Sequence, residues 1–131
     1  MFHSQQIDHF PDLLAIHRLK PQAYPYLLAS NTSVEVNSRF SILMAYPQQT
    51  LVQQTGDDDC LTRIETRLDE QSEQTDLPFV GGWFVFLSYE YASLIEPGVE
   101  FFGQQSELPL AFISRIPSAI ILDHEHQRCL I

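Results

Sequence analysis

Positive charge is scarce in this sequence. Lys and Arg total 7 against 17 Asp and Glu, a formal net charge of −10 over 131 residues. The few cations are scattered, which argues against a nucleic-acid-binding surface or docking on an anionic membrane. Cysteine is nearly absent: Cys60 and Cys129 lie far apart and make no Cys-x-x-Cys spacing. Reduced, structural thiols in a cytosolic, hence cytoplasmic, protein are the reading that follows. No apolar run approaches the roughly 20 residues a helix needs to cross a bilayer. The first six residues lack the basic-then-apolar pattern of a secretory leader. There is no Gly-x-x-x-x-Gly-Lys and no Gly-x-Gly-x-x-Gly, so phosphate cradling has no support. Neither Ser30 nor Ser88 sits in a Gly-x-Ser-x-Gly setting, so neither reads as a hydrolase nucleophile. No segment repeats, and there is no low-complexity linker.

What is present is enough apolar matter for one packed domain. Hydrophobic residues make up 44% of the chain, with nine Phe, five Tyr and one Trp, so a packed interior is expected rather than disorder. Residues 11–20 read as a short helix, with Pro11 at its first position, Asp12 in its first turn, and Leu13, Ile16 and His17 on one face. Pro21 and Pro25 stop it. Strands are expected over 26–30, over 38–46 and over 50–53, the last as a third strand of the same meander. In the second, Phe40, Ile42 and Met44 alternate with Arg39, Ser41, Leu43 and Ala45. Gly56-Asp57-Asp58-Asp59 introduces a helix over 59–71, its acids complementing the positive end of the helix dipole and capping free amides. Asp59 and Arg63 stand at i, i+4. Further strands are expected over 108–116 and 119–123, broken at Pro117, then a hairpin turn at His124-Glu125-His126-Gln127 and a returning strand over 128–131. The two histidines of that turn read as a solvated hairpin tip rather than a metal site. Asp57-Asp58-Asp59 lacks the Gly and distal Glu of a calcium loop. The chain stops on Cys129-Leu130-Ile131 inside that returning strand, which suggests a truncation.

The most telling segment is Pro78-Phe79-Val80-Gly81-Gly82-Trp83-Phe84-Val85-Phe86-Leu87-Ser88-Tyr89-Glu90-Tyr91-Ala92, closing at Glu96-Pro97. Two glycines let the backbone turn sharply or pass close to another segment. Beyond them, a short apolar run without polar alternation reads as a strand buried on both faces, with Trp83 largely buried in a central position. This block resembles the PF-x-GG-x-x-x-x-L-x-Y-[DE] segment of the N-terminal domain in the anthranilate synthase component I family. That family includes aminodeoxychorismate synthase component I, also called para-aminobenzoate synthase component I. Upstream, Leu27-Leu28-Ala29-Ser30 is similar to the family's Leu-Leu-x-Ser segment. Anthranilate synthases usually carry Glu where this chain has Ala29, which points to the aminodeoxychorismate branch, as does the wording of the Gly-Gly block.

The resemblance covers most of the chain and implies an α+β fold, with antiparallel sheets packed face to face and two or three helices. It implies that residues 1–131 are a single N-terminal domain of structural or regulatory character, without the chorismate-binding catalytic domain. The full-length parent would be a transferase that aminates chorismate for 4-aminobenzoate and folate synthesis. It would use Mg²⁺ and ammonia from a glutamine amidotransferase partner. The family's tryptophan pocket maps by position onto Ser30, Asn37, Ser38, Arg39 and Phe40: a hydroxyl and a cation for the amino-acid head group, an aromatic wall for the indole. No catalytic or metal-binding residue is expected here. Two other readings stay open: an anthranilate synthase component I domain with a tryptophan feedback site, and a stand-alone small-molecule-binding domain.

Overall fold

The computed structural model describes residues 3–29, 39–65, 75–96, 98 and 107–131. The chain divides into two units. One comprises Met1–Gln48, Glu73–Gly82 and Arg115–Ile131, the other Gln49–Ser72 and Trp83–Ser114.

The first unit is a five-stranded antiparallel sheet. Its strands are β1 (Gln6–Ile7), β2 (Tyr26–Leu28), β3 (Phe40–Ala45), β7 (Ser118–Asp123) and β8 (Arg128–Leu130). They lie in the order β1-β8-β7-β3-β2. β3 and β7 pair along their whole length, from Phe40 opposite Asp123 to Ala45 opposite Ser118. The alternation expected for β3 holds: Leu43 packs with Leu122, Cys129 and Leu13 in one core cluster, while Phe40 and Ile42 share the opposite face with Asp123 and Ile121. Helix α1 (Leu13–Leu19) covers the Leu43 face. It begins two residues later than the reading that put Pro11 first supposed. Asp12 stays extended as the N-cap, its carboxylate accepting from Leu14 N at 2.9 Å and Ala15 N at 3.1 Å. Two free amides satisfied by one side chain fix the helix start there. Strand β1 was not anticipated. It is two residues long and exists only because β8 offers it an edge.

The second unit carries β4 (Gln49–Gln53), β5 (Gly82–Leu87) and β6 (Ala111–Ile116) in the order β4-β6-β5, Gly82 and the last two residues of β6 counting with the first unit. The strands run antiparallel. Gln48 N bonds Arg115 O and Leu110 N bonds Gln53 O at the two ends of one pair, and Ser88 N bonds Leu110 O in the other. β4 therefore is not a third strand of the β2–β3 meander; it joins β6 in a different sheet. Thr50 bonds Ser114 of β6 at 2.6 Å, and Gln53, 1% exposed, accepts with its side-chain Oε1 from Cys60 N at 2.9 Å. Short helix α2 (Thr62–Glu65) follows, with Asp59 capping Leu61 N at 2.9 Å. The rest of the helix expected to residue 71 lies outside the described residues. Cys60, Ile64, Tyr91, Ala111 and Ile113 form the core of this unit, with Leu51 and Trp83 packed against it. A single helical turn at Tyr89–Tyr91 and α3 (Ala92–Ile95), both unanticipated, end the Gly-Gly block.

The largest correction concerns β5. It is an edge strand of the described sheet, not a central one, and Val85 and Leu87 are 42% and 41% exposed. Trp83 is partly buried against the core, and Phe84 and Phe86 stack on Phe112 with ring centroids 5.9 and 5.1 Å apart. An apolar run reports what a strand can bury, and these aromatic contacts use only part of it. Replacing Leu43, which is fully buried, by Ala should cost about 3 kcal/mol or more, and Trp83→Ala about 2 kcal/mol because part of the indole remains in water. Val85→Ala should stay below about 1 kcal/mol. Urea denaturation of the three variants checks the ranking, and an equal loss at Val85 and Leu43 would contradict the edge placement.

Candidate functional site

Five ionisable side chains, those of Arg39, Asp123, Glu125, His126 and Arg128, meet at the hairpin joining β7 to β8. Four residues turn the chain, with Gln127 in the left-handed region at φ 50 and its side-chain amide donating to His124 O at 2.7 Å. Asp123, the last residue of β7, thereby stands opposite Phe40 across one strand pair and Arg128 across the other. Arg39, just before β3, is held alongside by its carbonyl, which accepts from His124 N at 2.8 Å.

Asp123 is fully covered by these neighbours. Its carboxylate accepts a bidentate pair from Arg39, Nε to Oδ1 at 3.0 Å and Nη2 to Oδ2 at 2.9 Å. Arg128 Nε donates to Oδ2 at 3.1 Å, and the His126 amide donates to Oδ1 at 3.3 Å. His126 Nδ1 lies 3.0 Å from both Asp123 Oδ2 and Arg39 Nη2. It donates to the carboxylate when protonated and accepts from the guanidinium when not. Glu125 reaches Arg39 Nε at 3.1 Å, and the guanidinium lies 4.6 Å from the Phe40 ring centroid. Hydrogen bonds from Arg39, chiefly, and then from His126 and Arg128 hold the Asp123 carboxyl far below the usual carboxylate range, against the opposing effect of burial. The same hydrogen bond to Asp123 raises Arg39. Charge-assisted, two-pronged pairing of this kind is directional as well as strong.

Asp123, Glu125 and His126 place ligand atoms within 4.8 Å of one another. A divalent cation there would have to displace two guanidinium groups from the carboxylates they already bind, so the arrangement is an ion-pair network and does not fit Mg²⁺. His124 turns the other way: its Nε2 lies 2.8 Å from Ser41 Oγ and its ring meets Phe10 edge-on. Ser41 is 5% exposed, so this hydroxyl–imidazole pair has no room for a substrate. Burial raises both thiols, with the Asp59 charge adding to the shift at Cys60, which keeps them protonated and unreactive as structural cysteines.

Of the residues that sequence position assigned to a ligand pocket, Ser30, Asn37 and Ser38 lie outside the described residues. Arg39 and Phe40 are adjacent and stacked, with the Arg39 charge shared between Asp123 and Glu125. Asp123 was not singled out from sequence, since its partner Arg39 is 84 positions away. The one available hint was an acid ending an apolar strand run.

No known family's model and no curated protein matches the sequence. Among solved structures, the chain is similar to the crystal structure of anthranilate synthase component I from Streptococcus pneumoniae TIGR4. The identity is 24%, with a TM-score of 0.60 over 93% of this chain. The chain spans 29% of the length of that protein. The likeness establishes the fold, an α+β arrangement of two antiparallel sheets and a few short helices. Among the described residues no helix is long and apolar enough to cross a membrane.

A carboxyl group that gives up its proton more readily when folded binds more protons in the unfolded chain, so acid favours unfolding. The contribution of Asp123 is therefore complete above its ordinary pKa of 3.8 and lost as pH falls below it toward the depressed folded value. Asp123→Asn should lower stability by about 2 kcal/mol near neutral pH. That is the low end for a covered ion pair, because the Arg39 and Arg128 side chains remain 37% and 36% exposed. The variant should also flatten the fall in urea midpoint between pH 5 and pH 2. An unchanged acid slope would exclude this role for Asp123.

Proposed function

We propose that this chain is a non-catalytic N-terminal module of a chorismate-using synthase of the anthranilate synthase component I family, on the aminodeoxychorismate branch. The observation that carries the proposal is the coincidence of two signals. The Pro78–Pro97 block matches the family's segment in the sequence, and the fold is similar to part of an anthranilate synthase component I over 93% of the chain. Ala29, in place of the usual Glu, favours the aminodeoxychorismate branch. In this reading the whole protein replaces the C4 hydroxyl of chorismate with ammonia, giving 4-amino-4-deoxychorismate for 4-aminobenzoate and folate. The ammonia comes from a glutamine amidotransferase subunit, and Mg²⁺ supplies its charge at carboxylates outside this chain. The Ser41–His124 pair is covered and the Asp123 carboxylate is held by Arg39 and Arg128, which supports reading the chain as a module without chemistry of its own.

Ser30, Asn37, Ser38, Arg39 and Phe40 are proposed as one wall of a tryptophan pocket. A ligand carboxylate would meet in Arg39 a cation already shared with two acids, so binding to this chain alone is weak. A second reading, anthranilate synthase component I, has the identity of the structural neighbour in its favour.

The test is product analysis. The longer protein encoded around this chain, with its amidotransferase, glutamine, chorismate and Mg²⁺, should yield 4-amino-4-deoxychorismate. The chain alone should leave chorismate unchanged. Anthranilate as product would move the assignment to the second reading. A reading frame that encodes no further domain would leave a stand-alone binding domain. Calorimetry should find tryptophan bound at least about tenfold more weakly by the chain than by the longer protein, a difference of about 1.4 kcal/mol.

A further inference from the structure

The first unit contains a cleft of about 290 Å³ at the end of β7 remote from Asp123. The Gly-Gly bend builds it. Gly81 adopts φ +106, a conformation that L side chains rarely take, and passes over the β6–β7 junction. A Cβ there would lie 3.5 Å from the carbonyl oxygens of Ile116 and Pro117. That bend lays Leu77, Phe79 and Val80 along the cleft, while β7 and β8 contribute Ala119, Ile121 and Leu130 from the sheet face opposite α1. His3, Ser4 and Ser118 supply polar groups. The Ser118 hydroxyl lies 3.3 Å from Ala45 O, to which it donates, and keeps its acceptor lone pairs.

We propose that this cleft is a binding site for a small, uncharged ring compound with one hydrogen-bonding edge. Three features carry the assignment. The volume corresponds to about ten waters, the size of a one- or two-ring molecule and the small end of ligand pockets. Aliphatic side chains on a pleated sheet face and the Phe79 ring offer flat apolar surface, which suits a planar molecule. Among the described residues no Asp, Glu, Lys or Arg lines the cleft and its titratable side chain, His3, is exposed, so a charged ligand would lose water without gaining a buried counter-charge. The site is distinct in chemistry from the tryptophan pocket proposed above, because a zwitterion is the kind of ligand it rejects. Arg39 and Phe40 are not part of it. It rests on the fold alone and stands whichever synthase branch the chain belongs to.

Three isosteres test it: neutral benzamide, anionic benzoate and cationic benzamidine, titrated into the chain while backbone amide shifts are followed by NMR. Using both signs separates the cleft from the long-range field of a protein with net charge −10, which would attract the cation and repel the anion. Benzamide should give saturable shifts at Val80, Gly81, Ala119 and Leu130, and bind at least about tenfold more tightly than either charged isostere. Val80→Trp fills the cleft and should weaken benzamide by a similar factor; if that variant does not fold, the wild-type shift map and the isostere ranking still decide. Four results would overturn the proposal: no saturable shift up to the solubility limit of benzamide, shifts centred on Arg39 and Phe40 instead, equal binding of a charged isostere, or unchanged binding by folded Val80→Trp.

Discussion

The pairing of β3 with β7 is the constraint on which the first unit depends. It joins residues about eighty positions apart in sequence, Phe40–Ala45 against Ser118–Asp123, and every other strand of that sheet is added to one side of this pair or the other. A slip of one residue would exchange the two faces of β3, taking Leu43 out of the core under α1 and putting Met44 there. Two devices prevent it. One is apolar: Leu43 and Leu122 are nearly or fully buried on the same face. The other is electrostatic. Arg39 reaches Asp123 with both prongs of its guanidinium, a geometry that a shifted register would break.

Prolines and glycines set where the chain changes direction. Pro117 separates β6 from β7, which belong to different sheets. It cannot donate to a ladder, so continuing one strand through it would leave a gap in the pairing. The Gly81 turn runs close beside that junction. The two irregular points support one another: a side chain at position 81 would need a disfavoured backbone conformation in the place where the chain must pass close to Ile116 and Pro117.

Much of this was legible in the sequence, because the signals were local. Periodicity located α1, β2, β3, β7 and the hairpin at 124–127, and the Gly-Gly block with its Leu-Leu-x-Ser companion pointed to the fold. What was not legible depended on partners. The sheet that β4 joins is decided by its meeting β6, where Thr50 bonds Ser114 across 64 positions, a contact that no window of sequence records. The edge position of β5 failed for a related reason: apolarity on both faces describes a capacity, whereas burial depends on which strands arrive. The candidate site divided in the same way. Arg39 was singled out by its position in the family resemblance, and Asp123, which governs it, was not.

That division bears on what Arg39 is able to do. In a chain with 17 acids and 7 Lys and Arg, a cation rarely stays without a partner, and Arg39 has two carboxylates and an aromatic face around it. Asp123 is covered, so releasing its guanidinium would leave a desolvated charge with only Arg128 and His126 to offset it. Glu125 is 64% exposed and gives up its contact at little cost. An incoming carboxylate would therefore compete with Glu125 and leave the Asp123 pair intact. On this geometry the proposed pocket gains its head-group contact by exchanging one exposed acid for another, so the contact gives orientation more than affinity. Tight binding would have to come from burying the ring.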